Sequence, residues 1–196
     1  MKKRVASIQR TTKETNIAVQ LNLDGTGAAA IATGLPFLNH MLELLAKHSL
    51  IDLTIRAKGD LAVDYHHTVE DIGLALGATL NHALGDRRSI GRYGWCLLLM
   101  DETLSQVALD LGGRPFLVLQ MACRKKKILE FDLGLLVEFF RAFATEARMN
   151  LHVHQLYGSE PHHAWESVFK GVARALRPAV ALDPRVKGVP SSKGRI

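Results

Sequence analysis

Two short stretches of the chain carry the same capacity for chemistry: His66-His67-Thr68-Val69-Glu70 and His162-His163-Ala164-Trp165-Glu166. On a helix, residues four apart share a face, so His66 with Glu70 can grip one ion and His162 with Glu166 another. Adjacent side chains diverge by roughly 100°, which leaves His67 and His163 free to reach a different ion. His40 precedes the first motif and Glu138 the second by similar intervals, giving each an upstream donor. Imidazole with carboxylate suits a borderline divalent cation such as manganese, zinc or iron, and the absence of thiolates argues against a structural zinc site. A single motif of this kind is more often plain solvent-facing polarity; two in register argue for ligands. The remaining histidines, His48, His82, His152 and His154, read as ordinary surface or strand residues.

The elements that must position these groups repeat as well. In the first half Asn16–Leu23 alternates as a strand, Asp24–Gly27 turns the chain, and the apolar stretch Ala28–Ala32 follows. A helix is predicted from about Phe37 to His48, a strand over Ile51–Arg56, and a helix from His66 to about Leu84, where Gly85 is a natural stop. The second half offers strands at Trp95–Met100, Gln106–Asp110 and Pro115–Met121, a helix over Leu135–Ala147 and a strand over Asn150–His154. A last helix opens at His162 and runs to about Arg177, where Pro178 predicts its end. A strand–strand–helix–strand–helix unit used twice predicts an α+β duplication, with halves 1–93 and 94–196 in one compact catalytic domain, and not a doubly wound sheet.

Composition narrows the function classes. Hydrophobic residues make up 47% and charged residues 22% of the chain, which predicts a packed interior. Cys96 and Cys123 stand apart, favouring a reducing compartment, the cytoplasm, over a disulfide framework. The basic start Met1–Arg4 is followed by no apolar stretch of the kind a secretory signal needs, and no segment is apolar enough to span a membrane. The net charge of +6 is compatible with nucleic acid or a small anionic substrate. The dense run Arg124–Lys127 contains no aromatic residue to stack on bases, so it reads as a solvated loop or strand edge, and no nucleic-acid partner is expected.

At these positions the sequence resembles the imidazoleglycerol-phosphate dehydratase family. The likeness is carried by Arg10–Thr15, Leu23–Gly27, Phe37–Leu42, Lys58–Leu61, His66–Asp71, Gly91–Gly94, Met100–Glu102, Gly113–Pro115, His162-His163 with Glu166, Phe169-Lys170 and Val189–Gly194. The resemblance implies two copies of a unit like the second domain of ribosomal protein S5, assembled from trimers into particles of 24 subunits with metal sites between subunits. It implies two manganese ions per subunit, one taking His40, His67, His162 and Glu166, the other His66, Glu70, Glu138 and His163. It implies removal of water from imidazole glycerol phosphate, a step of histidine biosynthesis. Glu14 would contact substrate and is the first candidate for moving its proton, with Glu70 and Glu166 as further catalytic carboxylates. Arg92, Arg114, Lys170 and Lys193 would hold the phosphate, with Ser192 as hydroxyl donor.

The chain departs from the family pattern at Pro36, Asn39, Leu99, Gly112, Glu160 and Ser192. Asn39 removes a carboxylate beside His40 and is expected to weaken support of that ligand. Two other functions compete with the dehydratase. One is a paralogous metal-dependent lyase on a related phosphorylated substrate; the other is a non-enzymatic RNA-binding protein on an S5-like scaffold.

Overall fold

The computed structural model describes residues 3–196, so Met1 and Lys2 of the basic Met1–Arg4 stretch lie outside the described residues. The first half forms β1 (Val5–Thr11), β2 (Thr15–Asn22), β3 (Ala29–Ala32), α1 (Pro36–Ser49), β4 (Asp52–Gly59) and α2 (His66–Leu84). The second forms β5 (Tyr93–Met100), β6 (Thr103–Asp110), β7 (Phe116–Gln120), a hairpin of β8 (Lys127–Ile128) and β9 (Phe131–Asp132), α3 (Gly134–Glu146), β10 (Asn150–Tyr157) and α4 (Pro161–Val180). One sheet is ordered β1-β2-β4-β3 and the other β5-β6-β10-β7. In both, the third strand of the half pairs in parallel and the other pairings are antiparallel. The α+β duplication is thus present, with three strands of the four-stranded sheet, not two, ahead of each first helix. In the first half the added strand is β1, a sheet edge whose outward Ser7, Gln9 and Thr11 blur the apolar alternation.

The helices fill the space between the sheets. α2 lies on β1 and β2 and packs against α3; α4 lies on β5 and β6 and packs against α1. Each half therefore completes its core with a helix of the other. Ile17, Val19 and Ile55 face inward from the first sheet, Val107, Leu151 and Val153 from the second, and all are buried. Between them Phe139, Phe140, Phe143 and Phe169 are wholly enclosed, with Phe140 and Phe169 ring centroids 4.8 Å apart. Enclosing each such ring contributes roughly 1.5–3 kcal/mol.

The sequence places α2 correctly, and Gly85 (φ 56) ends it, donating its N–H to the His82 carbonyl. It ends α4 too early: the helix continues past Pro178 to Val180. Carbonyls of its last turn and C-cap are taken by the segment leading into β5, with Arg92 N–H donating to Ala179 O and Gly91 N–H to Ala181 O, both at 2.9 Å. These contacts hold the turn that lacks the proline's own hydrogen bond. The run Arg124–Lys127 is exposed and leads into the β8–β9 hairpin, as a solvated edge.

Closest approach of α4 to its sheet occurs at Gly94, where an added Cβ would lie 1.8 Å from the Ala175 carbonyl oxygen. The obstacle is helix backbone and cannot swing aside. Gly94→Ala is expected to cost roughly 1–3 kcal/mol, the usual penalty of overpacking, read as a lower urea midpoint. An unchanged midpoint would show that α4 can lift off β5 freely.

Candidate metal centre

Helix α4 opens at Pro161 in its first turn, where proline's missing N–H costs nothing. Glu160 caps it by accepting the His163 N–H at 2.8 Å. At the start of α2, Asp64 likewise accepts the His66 N–H at 2.8 Å. An acidic side chain thus takes a first-turn N–H of each motif helix, from the N-cap itself in α4 and from the residue before the N-cap in α2, and the unusual Glu160 is a working cap.

The α1–α4 contact joins the donors of the two halves. His162 Nε2 lies 3.0 Å and His40 Nε2 3.3 Å from the same oxygen, Oε2 of Glu166. One donor atom from each of the three residues lies within 4.8 Å of the others. Glu166 is buried, and its second oxygen accepts from Lys170 Nζ. Burial pushes this carboxyl up, but the Lys170 ammonium and the hydrogen bonds from His40 and His162 outweigh it and hold it below the usual range. The His162 ring is seated edge-on against Phe37, with centroids 5.7 Å apart. Two imidazoles and a carboxylate so placed fit a divalent cation of the manganese type.

His67, expected to complete this set, is not in it. Its Nδ1 bonds Asp60 Oδ2 at 3.0 Å and lies 4.0 Å from Glu14 Oε2. Its pKa is raised, chiefly by the Asp60 bond. The other set is also partial: His66 Nε2 is 3.9 Å from Glu70 Oε2, whereas Glu138 faces Arg141 at 3.3 Å. His163 Nδ1 bonds Glu102 Oε2 at 2.7 Å. That bond raises the histidine and holds Glu102 down at about 2. In each half, then, the second histidine of the motif is oriented by a carboxylate at a strand end and turned away from its own helix's cluster. An open cleft of about 430 Å³ borders His66, lined also by Leu61, Val63, Asp64, Tyr65 and Asp132.

Sequence reasoning missed Asp60 and Glu102 as partners. Both stand in segments that carry the family likeness, but pairing a strand-end carboxylate with a helical histidine requires the tertiary fold. Asn39 differs from its expectation: its Oδ1 accepts from Thr33 Oγ1 at 2.6 Å and Thr33 N–H at 3.0 Å, so its amide pins the start of α1. Glu14 sits at the exposed β1–β2 turn, tied to α2 because Asp71 accepts from both Arg10 and Thr15 at 2.5 Å.

The expected phosphate cations divide between two places. Lys170 lies beside Glu166 and 3.8 Å from Met100 Sδ. Arg92 lies at the other end of β5, its Nε and Nη2 on Asp110 at 2.7 and 3.0 Å and its Nη1 on the Pro190 carbonyl at 2.7 Å. Exposed Arg114 is at the same end, its carbonyl accepting from Asn150 at 2.6 Å. Ser192 and Lys193 are exposed in the tail that Arg92 anchors. The eight residues of β5 separate the two groups by roughly 25 Å.

A family profile for imidazoleglycerol-phosphate dehydratase covers residues 33–176. The chain belongs to this family. It is 58% identical to the imidazoleglycerol-phosphate dehydratase of Methylorubrum extorquens over 98% of this chain and 100% of that one. It is 56% identical to that of Rhodopseudomonas palustris, over 98% of each. The crystal structure of the Staphylococcus aureus dehydratase matches at a TM-score of 0.83 with 37% identity, over 91% of this chain and 99% of that one. That of the Pyrococcus furiosus dehydratase, in complex with (S)-C348, matches at 0.83 with 34% identity, over 96% and 100%.

Because Glu102 orients His163, Glu102→Gln is expected to weaken divalent-metal affinity by roughly 10–100-fold, the usual effect where a ligating histidine loses its hydrogen-bond partner. Titration with manganese, on protein of unchanged circular dichroism, reads the effect. Unaltered affinity would show that His163 needs no such support.

Proposed function

We propose that the chain carries out the reaction for which its family is named, removing water from imidazole glycerol phosphate to give imidazole acetol phosphate in histidine biosynthesis. The observation that carries this reading is the gathering of His40, His162 and Glu166 from both halves around one point, in a chain alike along almost its whole length to named dehydratases. That likeness leaves a metal-dependent lyase on another substrate, or an RNA-binding protein, without an observation in its favour.

Two manganese ions per subunit are assigned to the ligand sets His40, His67, His162, Glu166 and His66, Glu70, Glu138, His163. Bound there, they supply Lewis acidity and a template for the substrate's imidazole nitrogens. Dehydration requires the hydroxyl on the carbon next to the ring to depart as water and a proton to leave the neighbouring carbon, giving an enol that becomes the ketone of the product. Glu14, held at the β1–β2 turn by the Asp71 contacts, is the candidate carrier of that proton. Glu70 and Glu166 act as ligands and lend negative charge beside the reacting chain. Arg92, Arg114, Lys170, Lys193 and the Ser192 hydroxyl take the phosphate. Three of the five N–H groups of Arg92 are engaged with Asp110 and Pro190, leaving two for the ligand.

These sets cannot all meet within one chain. His67 is bonded to Asp60 and absent from the His40 cluster, and the length of β5 separates Arg92 and Arg114 from Glu166. A homo-oligomer resolves both, with each site shared between copies. The outer face of β5 supports this: Tyr93, Trp95, Leu97 and Leu99 are all more than half exposed. The matching face of β1 carries Val5, Ser7, Gln9 and Thr11, three of the four polar. A contiguous apolar strip on one of two duplicated sheets is the mark of a protein contact. The assembly is proposed as 24 subunits built from trimers, each subunit being one catalytic domain with halves 1–93 and 94–196. Its place is the cytoplasm; among the described residues no helix is long and apolar enough to cross a membrane.

Metal-stripped protein is expected not to turn over imidazole glycerol phosphate until manganese is restored. Absence of turnover from protein that has bound its metal would overturn the assignment. Sharing between copies has its own test. Glu166→Ala and His67→Ala should each be inactive, and unfolding and refolding them together should return activity, because a His67→Ala chain can contribute Glu166 to a site whose His67 comes from the other. A mixture as inactive as its components would place both ligands in one chain.

A further inference from the structure

A second cationic site lies away from the metal ligands. Beyond the end of α2, an open cleft of about 500 Å³ is lined by Asn81, His82, Asp86, Arg87, Gly113 and Arg148. Arg87 is only 5% exposed, which is rare for an arginine without full pairing. Its Nη2 donates to Asn81 Oδ1 at 2.6 Å and to the Ala147 carbonyl at 2.9 Å. Its Nε is buried with no hydrogen-bond partner. No carboxylate pairs with it among the described residues. Arg148, exposed, donates from Nε to the Gly113 carbonyl at 3.2 Å. Its remaining N–H groups are uncommitted.

Two guanidinium groups of like charge therefore share one cleft. Burial, and after it the charge of Arg148, pushes Arg87 below the usual arginine range. Asp86 on the wall is bonded to Arg88 at 2.8 Å, Asp110 offsets the positive charge of Arg87 only in part, and Ile196 also lines the cleft. An anion entering the cleft would relieve the repulsion between the two guanidinium groups.

We propose that this cleft binds the phosphate group of a small phosphorylated molecule, at a site distinct from the one that holds substrate. Arg148 meets the phosphate from the open side with its planar fork. Arg87, fixed by Asn81 and Ala147, supplies preorganised charge from the inner wall, and His82 borders the mouth. The volume exceeds that of phosphate alone and admits a small organic portion. None of Arg92, Arg114, Lys170 or Lys193 lines the cleft, so the proposal goes beyond the catalytic reading and does not depend on it.

The test uses the manganese-loaded enzyme and inorganic phosphate as probe. Calorimetric titration should show binding that Arg148→Gln weakens by roughly 10–100-fold, as expected for lost charge-assisted hydrogen bonds, while kcat and KM for imidazole glycerol phosphate stay at their wild-type values. Lys193→Ala, which thins the substrate's phosphate site, should leave this binding in place. A crystal soaked in phosphate should show the anion within hydrogen-bond distance of Arg148. Equal phosphate affinity in wild type and Arg148→Gln overturns the proposal. So does a raised KM in Arg148→Gln, since the cleft would then belong to the substrate site. Arg87→Lys, being buried, serves only as a stability control.

Discussion

The candidate centre depends on the burial of one carboxylate between two helices. Glu166 lies where α4 meets α1, and a lone charge there would be costly. It is tolerated because one oxygen accepts from Lys170 and the other faces His40 and His162. The same packing that encloses Glu166 delivers His40, a residue of the other half, to its side. Ligand geometry and core packing are thus one constraint: if α1 shifted on α4, the His40 contact and the seal of Leu38, Met41 and Leu42 would be lost together.

Duplication explains both the economy of the structure and its asymmetry. Both halves open their motif helix with an acceptor for the first-turn N–H groups, Asp64 in one and Glu160 in the other. Both hold the second histidine through a strand-end carboxylate, Asp60 or Glu102. The halves diverge where their surroundings differ. The outer face of β1 is polar apart from Val5, and that of β5 is a row of large apolar side chains. Likewise Lys170 follows Glu166 on α4, whereas Leu74 stands at the matching position of α2. A carboxylate enclosed at a helix contact needs that cation, and the half-exposed Glu70 does not.

Much of the fold was legible because its signals are local. The His-His-x-x-Glu motifs, the extent of α2 and the glycine that ends it depend on helical periodicity and on a positive φ that glycine readily adopts. Part of the group that could hold a metal ion was legible too, since His162 and Glu166 keep their i, i+4 spacing on any helix. β1 was obscured by polar outward residues on a sheet edge. The end of α4 was misplaced because Pro178 is a local stop signal overruled by hydrogen bonds from Gly91 and Arg92, distant in the chain.

By itself, then, the sequence determined that a His-His-x-x-Glu motif comes in duplicate and which helices carry the two copies. These are properties of neighbouring residues and of a repeat. Only the tertiary structure decided which donors meet: His40 with Glu166, His67 with Asp60, His163 with Glu102, and Asn39 with Thr33 instead of the ligand beside it. It also decided that Arg92 is largely engaged with Asp110 and the tail, and that Arg87 is buried facing a second arginine. Such pairings join residues far apart in the chain, and their distances are set by how helices close over sheets, a geometry that no local spacing encodes.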